Sequence, residues 1–412
     1  MKHVISRIML AFKLSAFRWL WLGSNFGFMS MMASDLTLGW LVLELTDSPF
    51  WVGVVAAGRG VAQVLFSLFA GVVLDRYDKR RVLLLVQVGN MLLPLGLGML
   101  LLSGRVMLWH LLLAGVVQGG LTAVRAPAFN TMTYQLVGAQ RILNASAALG
   151  LGFNLALVVG SAVTGVLVEQ YGEASGLFFA AIAGTAGIVS ILLVGGSFTA
   201  ATRSEPLLQA AVAGVRYASG NQELLRLLLL SLFIETFGFS HHVMLPVIAR
   251  DVLGLGAAGL GALSSARGIG AMLSNLGIAA LGDYEHKGYL LVSTVVGAGF
   301  FLMLFGLSRW YELSLLLVFA AGAALAAYDA TMKALVLLQA EDDWRGRVQS
   351  LYTLTFGFVS IGGFVAGTVA TAVSVSFALV MNGGIILAFV GKNGRSLRQL
   401  GTPIAATPQA AD

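Results

Sequence analysis

Long apolar runs separated by short polar or turn-forming stretches fill this chain from about residue 17 to residue 391. A bilayer-crossing helix needs about 20 predominantly apolar residues. Twelve such helices are predicted, at 17–45, 50–74, 82–103, 107–134, 145–169, 177–198, 224–249, 257–281, 289–307, 313–338, 350–372 and 377–391, the last being short. Turn chemistry marks several breaks: Thr46-Asp47-Ser48-Pro49, Ser103-Gly104-Arg105, Tyr171-Gly172-Glu173 and Ser308-Arg309. One interruption, 199–223, is longer and polar. Within it Glu205-Pro206 precedes Leu207, Leu208, Ala211, Val212 and Val215 at helical spacing, which predicts a helix lying on the membrane surface. The basic N-terminus leads directly into an apolar span without a small-residue cleavage site and reads as the start of a first helix. The Ala/Pro/Thr/Gln-rich stretch from Thr402 to Asp412 reads as a disordered tail.

Composition agrees with an all-α membrane protein. Hydrophobic residues make up 58% of the chain and charged residues 11%, against about 25% charged in soluble domains. So few charges cannot cover a water-facing surface, and most of the exterior must face lipid. The 51 glycines suit membrane helices, which approach closely through small residues. With no cysteine there is no disulfide, thiolate metal site or cysteine nucleophile. A net charge of +6 raises the question of nucleic acid, which the distribution of basic residues answers. Eighteen of the 25 Lys and Arg fall in the two tails and one set of loops, three (Arg105, Arg250, Arg309) in the opposite loops, and four within spans. By the positive-inside rule both termini are cytoplasmic. The charge is a topology signal, and a multi-pass protein of the bacterial inner membrane with no nucleic-acid partner is expected.

The chain also repeats itself weakly. A shift of 208 places Arg18 on Arg226, Arg59-Gly60 on Arg267-Gly268, Asp75 on Asp283 and Lys79 on Lys287. A shift of 204 places Leu121 on Leu325, Arg125 on Asp329, Gln135 on Gln339 and Arg141 on Arg345. An ordered series across matching helices is what a duplicated six-helix unit produces. The expected organisation is an N-terminal six-helix half (1–198), a linker with an amphipathic helix (199–223), a C-terminal six-helix half (224–391) and a tail (392–412). Transporters built from two such repeats hold substrate near the midplane, between halves that rock against each other.

The loop after the second span reads Gly71-Val72-Val73-Leu74-Asp75-Arg76-Tyr77-Asp78-Lys79-Arg80-Arg81. It resembles the signature loop of the major facilitator superfamily: a glycine, then Asp-Arg, then a basic cluster. The resemblance implies a conformational latch formed by Gly71, Asp75, Arg76, Lys79, Arg80 and Arg81. An acid at the C-terminal end of a helix is disfavoured by the dipole of that helix and seeks a cation or another helix N-terminus. Glu44-Leu45-Thr46-Asp47-Ser48-Pro49, Ala126-Pro127-Ala128-Phe129, Gly214-Val215-Arg216-Tyr217 and Arg345-Gly346-Arg347-Val348 are similar to the bacterial drug-exporter branch that includes enterobactin and macrolide exporters. There is one departure. Antiporters of the superfamily tend to carry Gly-Pro in the fifth helix, where this chain has Gly160-Ser161 followed by Gly165.

Seven charged residues fall within predicted spans: Asp35, Arg59, Arg125, Glu235, Arg267, Asp329 and Lys333. Each costs roughly 2.5–3.5 kcal/mol at a helix centre, so they should face a watery cavity or pair with one another. In the superfamily arrangement helices one, four, seven and ten line the cavity, which implies cavity positions for Asp35, Arg125, Glu235 and Asp329. Asp329 and Lys333, four apart, can instead neutralise each other on one helix face, and Arg59 and Arg267 can serve as structural links. Asp35 and Glu235 are the expected proton carriers. Arg125 is the expected contact for an anionic or polar-acceptor substrate, and His241 a relay candidate beside His242. Asn25, Gln63, Gln118, Asn130 and Asn154 are available for hydrogen bonds. No Walker loop, HExxH or Gly-x-Ser-x-Gly is present, so neither an enzyme nor an ATP-driven pump is expected, and no cofactor or metal. The expectation is a monomeric proton-coupled exporter of a small amphipathic compound, such as a drug or siderophore-like metabolite; the alternative is a metabolite importer or facilitator on the same scaffold.

Overall fold

The computed structural model describes residues 11–138, 141–198, 207–281, 284, 286–341 and 344–398. Glu205-Pro206, Asp283 and the tail from 399 lie outside these residues, as does the Asp75 side chain, while Gly71 lies within a helix.

Twelve transmembrane segments run in chain order: α1 Ser15–Thr46, α2 Pro49–Arg76, α3 Lys79–Leu102, α4 Leu108–Val137, α5 Ile142–Tyr171, α6 Glu173–Leu192, α7 Gln222–Val252, α8 Ala257–Leu281, α9 Lys287–Leu307, α10 Tyr311–Gln339, α11 Arg345–Ala372 and α12 Val375–Arg398. Eleven are long and apolar enough to cross a bilayer on composition alone. The other, α8, is long enough at 25 residues, but Ser264, Ser265, Arg267, Ser274 and Asn275 dilute its hydropathy. The last helix has 24 residues, longer than its 377–391 apolar run, because about two further turns continue past the apolar core. No strand occurs among the described residues. The connecting segment forms a helix, Leu207–Gly220. It is held by Tyr217, whose ring stacks on Trp344 at 4.5 Å and whose hydroxyl accepts the Glu341 N–H at 3.1 Å.

Two segments are broken where the sequence predicts continuous spans. In α7, helix Gln222–Phe237 gives way to a tight three-ten turn, Phe239–His242, and then to a π-turn, Ile248–Val252. Gly238 and Pro246 explain the break, since one lacks a side chain to brace the helix and the other lacks an N–H. The helix of α11 is interrupted after Thr355 and resumes at Phe358, with Gly357 at the break.

The halves touch along two matching seams. At the first, α5 crosses α8, and a Cβ on Gly165 would lie 2.6 Å from the Ala257 carbonyl oxygen and 2.9 Å from the Gly261 Cα. At the second, α2 crosses α11, and a Cβ on Gly367 would lie 2.7 Å from the Pro49 carbonyl oxygen and 3.2 Å from the Gly53 Cα. Gly261 stands at the 208 offset from Gly53, so the repeat seen in the charged positions extends to the contacts. Glycine lets the backbones meet in lipid, where dispersion and not water expulsion drives association.

The two ends of the bundle differ. At the end bearing the 46–49, 103–107 and 308–310 loops, one continuous apolar cluster draws buried residues from all twelve segments, among them Leu41, Val55, Leu111, Val168, Leu245, Leu263, Val318 and Leu379. At the other end the apolar clusters stay within one half: Leu20, Leu83 and Met132 in the first, Leu227, Val295 and Leu335 in the second. The protein is therefore closed at one end and divided at the end carrying the basic loops. Large exposed apolar side chains such as Leu85, Leu229 and Leu316 form the outer, lipid-directed surface.

Candidate transport site

Below the closed end lies a chamber of about 420 Å³ between the halves. Apolar walls come from Leu36, Val52, Val55, Leu157, Leu260 and Phe356, and polar groups from Asp35, Arg59, Gln63, His242, Ser264 and Arg267. Such a mixture, mostly apolar with a few charged anchors, suits a ligand with a greasy body and a polar head.

Asp35 on α1 and Arg59 on α2 form an ion pair on the chamber wall, each side chain 23% exposed. Arg267 on α8 stands at the pseudo-symmetric position of Arg59. Both backbones are gripped the same way, since a Cβ on Gly119 of α4 would overlap the Arg59 carbonyl oxygen, and one on Gly322 of α10 the Arg267 carbonyl oxygen. The electrostatics are not symmetric. The residue matching Asp35 is Val243, and among the described residues Arg267 has no carboxylate partner; its buried Nε has no hydrogen-bond acceptor.

Of the four positions expected from helices one, four, seven and ten, only Asp35 lines the chamber. Arg125 is 3% exposed and lies behind the wall. Its guanidinium sits 3.7 Å from the Phe28 ring centroid and Nη2 lies 3.7 Å from the Met31 sulfur, while Nε and Nη1 have no partner. A stacked aromatic face offsets part of the cost of burying this cation. Glu235 is also buried, with Oε1 unpartnered. Asp329 and Lys333 pair at 2.7 Å, and the Tyr352 hydroxyl donates to the other Asp329 oxygen at 2.6 Å. That carboxylate is neutralised within its own half, which is why it does not serve the chamber. His241 is fully buried, with Nδ1 2.7 Å from the Gly238 carbonyl oxygen; its neighbour His242 reaches the chamber because the three-ten turn rotates successive residues to different faces.

The basic loop after α2 ties the start of α3 to the end of α6. Asp78 caps α3, accepting from the Arg81 N–H at 3.1 Å, and also accepts from the Phe198 N–H at 2.6 Å and the Ser197 hydroxyl at 3.0 Å. Arg80 donates to the Ile191 and Leu192 carbonyls at 3.2 and 2.6 Å, a cation on the negative end of a helix. Lys79, 2% exposed, donates to the Phe198 carbonyl at 3.2 Å. Arg76 and Arg81 are exposed. Asp78 was not among the latch residues implied by the signature loop, although a carboxylate one residue before a helix start is an N-cap signal. Burial raises its pKa, but the hydrogen bonds from Phe198, Arg81, Ser197 and Arg80 outweigh this and leave it below the ordinary carboxylate value. Asp78→Ala is expected to cost about 2 kcal/mol, an N-cap with two further bonds. Because the folded pKa is depressed, that contribution is complete above about pH 4 and disappears as pH falls through the folded value. Thermal unfolding of the two proteins at neutral pH and near pH 3 checks this: the gap should narrow in acid.

Two six-helix halves, a chamber between them and charged groups facing it define a multi-pass membrane transporter. The chain belongs to the transmembrane secretion effector family, a branch of the major facilitator superfamily, whose profile matches residues 8–398. Among curated relatives, enterobactin exporters EntS of Escherichia coli O1:K1 / APEC and of Escherichia coli O6:K15:H31 (strain 536 / UPEC) are 24% identical over 395 residues, 92% of this chain and 94% of theirs. The fold is similar to that of a POT family transporter in complex with 5-aminolevulinic acid (TM-score 0.75, 12% identity, 93% of this chain and 97% of that one). It is also similar to the nucleoside transporter NupG (TM-score 0.67, 16% identity, 94% and 100%).

Proposed function

We propose that this transporter is a proton-coupled exporter of a small amphipathic compound, working by alternating access in the bacterial cytoplasmic membrane with both termini inside. The observation that carries the reading is the Asp35–Arg59 ion pair on the chamber wall. A proton arriving at Asp35 dissolves the pair and changes the charge that a ligand meets, so proton and ligand occupancy are linked through one site. Glu235, buried with an unpartnered oxygen, is the second proton site. The export direction draws on the relatives named enterobactin exporters. Orientation draws on the basic loops, which by the positive-inside rule support a cytoplasmic divided end, where an exporter collects its cargo.

The test is transport by the purified chain in sealed vesicles under an imposed pH gradient, with a panel of amphipathic drugs and catecholate siderophores. Movement of at least one compound that collapses when a protonophore removes the gradient is expected. Transport indifferent to the gradient would leave a facilitator.

A further inference from the structure

Three cations belong to the neighbourhood of the chamber, Arg59 and Arg267 on its wall and Arg125 behind it, but among the described residues the wall holds a single acid, Asp35. Duplication makes the imbalance specific. Arg59 and Arg267 come from equivalent positions of the two halves, and each backbone is pressed by a glycine of the neighbouring helix, Gly119 and Gly322. In the first half the guanidinium has its carboxylate. In the second, the matching residue is Val243, which lines the chamber and offers no charge. A guanidinium without a counter-charge inside a membrane protein is costly, and Arg267 carries a buried Nε with no acceptor. Among the described residues no carboxylate answers Arg267, so a counter-charge for the guanidinium on the chamber wall would come from a bound ligand.

We infer that the chamber takes an amphipathic anion, whose carboxylate or comparable planar oxyanion binds Arg267 in the place that Asp35 fills for Arg59. The inference rests on the chamber's being the transport site and names the substrate class. A guanidinium presents a planar fork matched to two oxygens, and His242 and Ser264 stand on the same wall to hydrogen-bond the head group. The apolar side is supplied by Leu157, Leu260 and Phe356. With the ligand in place the wall holds two guanidinium groups and two carboxylates, so its net charge is zero. A neutral loaded chamber can be closed off from water without stranding a charge in low dielectric. An anion leaving the cytoplasm also moves with an inside-negative potential, which suits export.

The experiment is equilibrium binding to the purified full chain in lipid nanodiscs, without any gradient. The probes share one body and differ in the head: biphenyl-4-carboxylate, biphenyl-4-carboxamide and biphenyl-4-methylammonium. The carboxylate is expected to bind roughly tenfold or more tighter than the amide, as a charge-assisted contact replaces a neutral one, and the ammonium weakest. Arg267→Gln should erase the preference and Arg267→Lys should keep part of it. Equal affinities, a preference for the ammonium, or no binding of the carboxylate by the wild-type chain overturns the inference without recourse to any variant. A preference lost in Arg125→Gln but kept in Arg267→Gln overturns the assignment to Arg267. Failure of the proton-coupling proposal looks different: vesicle transport is then insensitive to the gradient while the Arg267-dependent preference persists.

Discussion

Asp35→Asn is expected to abolish gradient-driven accumulation while leaving ligand binding measurable. One proton moved down one pH unit releases about 1.4 kcal/mol, enough to support about a tenfold concentration ratio of a coupled solute. With the carboxylate replaced by an amide no proton can be carried at this position, and the ratio should fall to about one. The amide keeps the size of the side chain and can still accept from Arg59, so the local packing on α1 is preserved. Some loss of stability is expected, because Arg59 loses its counter-charge; the pair is partly hydrated, so this loss should be well below the 3–5 kcal/mol typical of breaking a fully buried pair. Glu235→Gln should have the same effect on coupling through the other half. The measurement is the vesicle accumulation ratio against imposed pH difference for the wild type and both variants, with binding measured in parallel. Normal ratios and an unchanged pH dependence in both variants would make these carboxylates structural.

Much of this was legible in the chain itself, for identifiable reasons. Twelve spans can be read because lipid demands about 20 apolar residues per crossing and water demands polar turns between them. The repeat is visible in Arg59 and Arg267 because an intramembrane arginine is rare enough to mark its position. The Asp329–Lys333 pair follows from helical spacing alone, and it is made. What stayed hidden depends on contacts between distant segments. Nothing in the sequence places Phe28 over Arg125, although Phe28 and Asp35 stand two helical turns apart on one face of α1. Tyr352 joins Asp329 from another segment, and no local pattern announces it. The three-ten turn at Phe239–His242 decides that His242 and not His241 meets the chamber. A general rule about which helices line a cavity misplaced Arg125, Glu235 and Asp329, because whether a charge reaches the chamber depends on how its side chain packs within its own half.

Gly165→Leu is expected to hold the closed end open and stop transport. The contact of α5 with α8 is backbone on backbone: even a Cβ at Gly165 would meet the Ala257 carbonyl and the Gly261 Cα, neither of which can rotate away. Ser161, where antiporters of the superfamily tend to have proline, belongs to the same surface; a Cβ on Gly261 would lie 2.6 Å from its carbonyl oxygen. The small-residue face around Gly160-Ser161 is thus in use as a seam between the halves. Overpacking a tight interface costs about 1–3 kcal/mol or more, and the whole penalty falls on the state in which this seam is shut. A 3 kcal/mol bias changes the ratio of two conformations about 150-fold. The absence of native cysteine makes the measurement simple, since a single cysteine can be introduced without background. Val42 is fully buried in the closed-end cluster and lines the chamber. In Val42→Cys alone, a membrane-impermeant thiol reagent added on the side of the Ser48 loop should react slowly. With Gly165→Leu added, labelling should accelerate by one to two orders of magnitude, and transport should be lost because one half of the cycle can no longer be completed. Unchanged labelling together with normal transport would mean that the α5–α8 seam yields without cost, and that the closed end is held elsewhere, at the Arg250 contacts with Leu43 and Asp47.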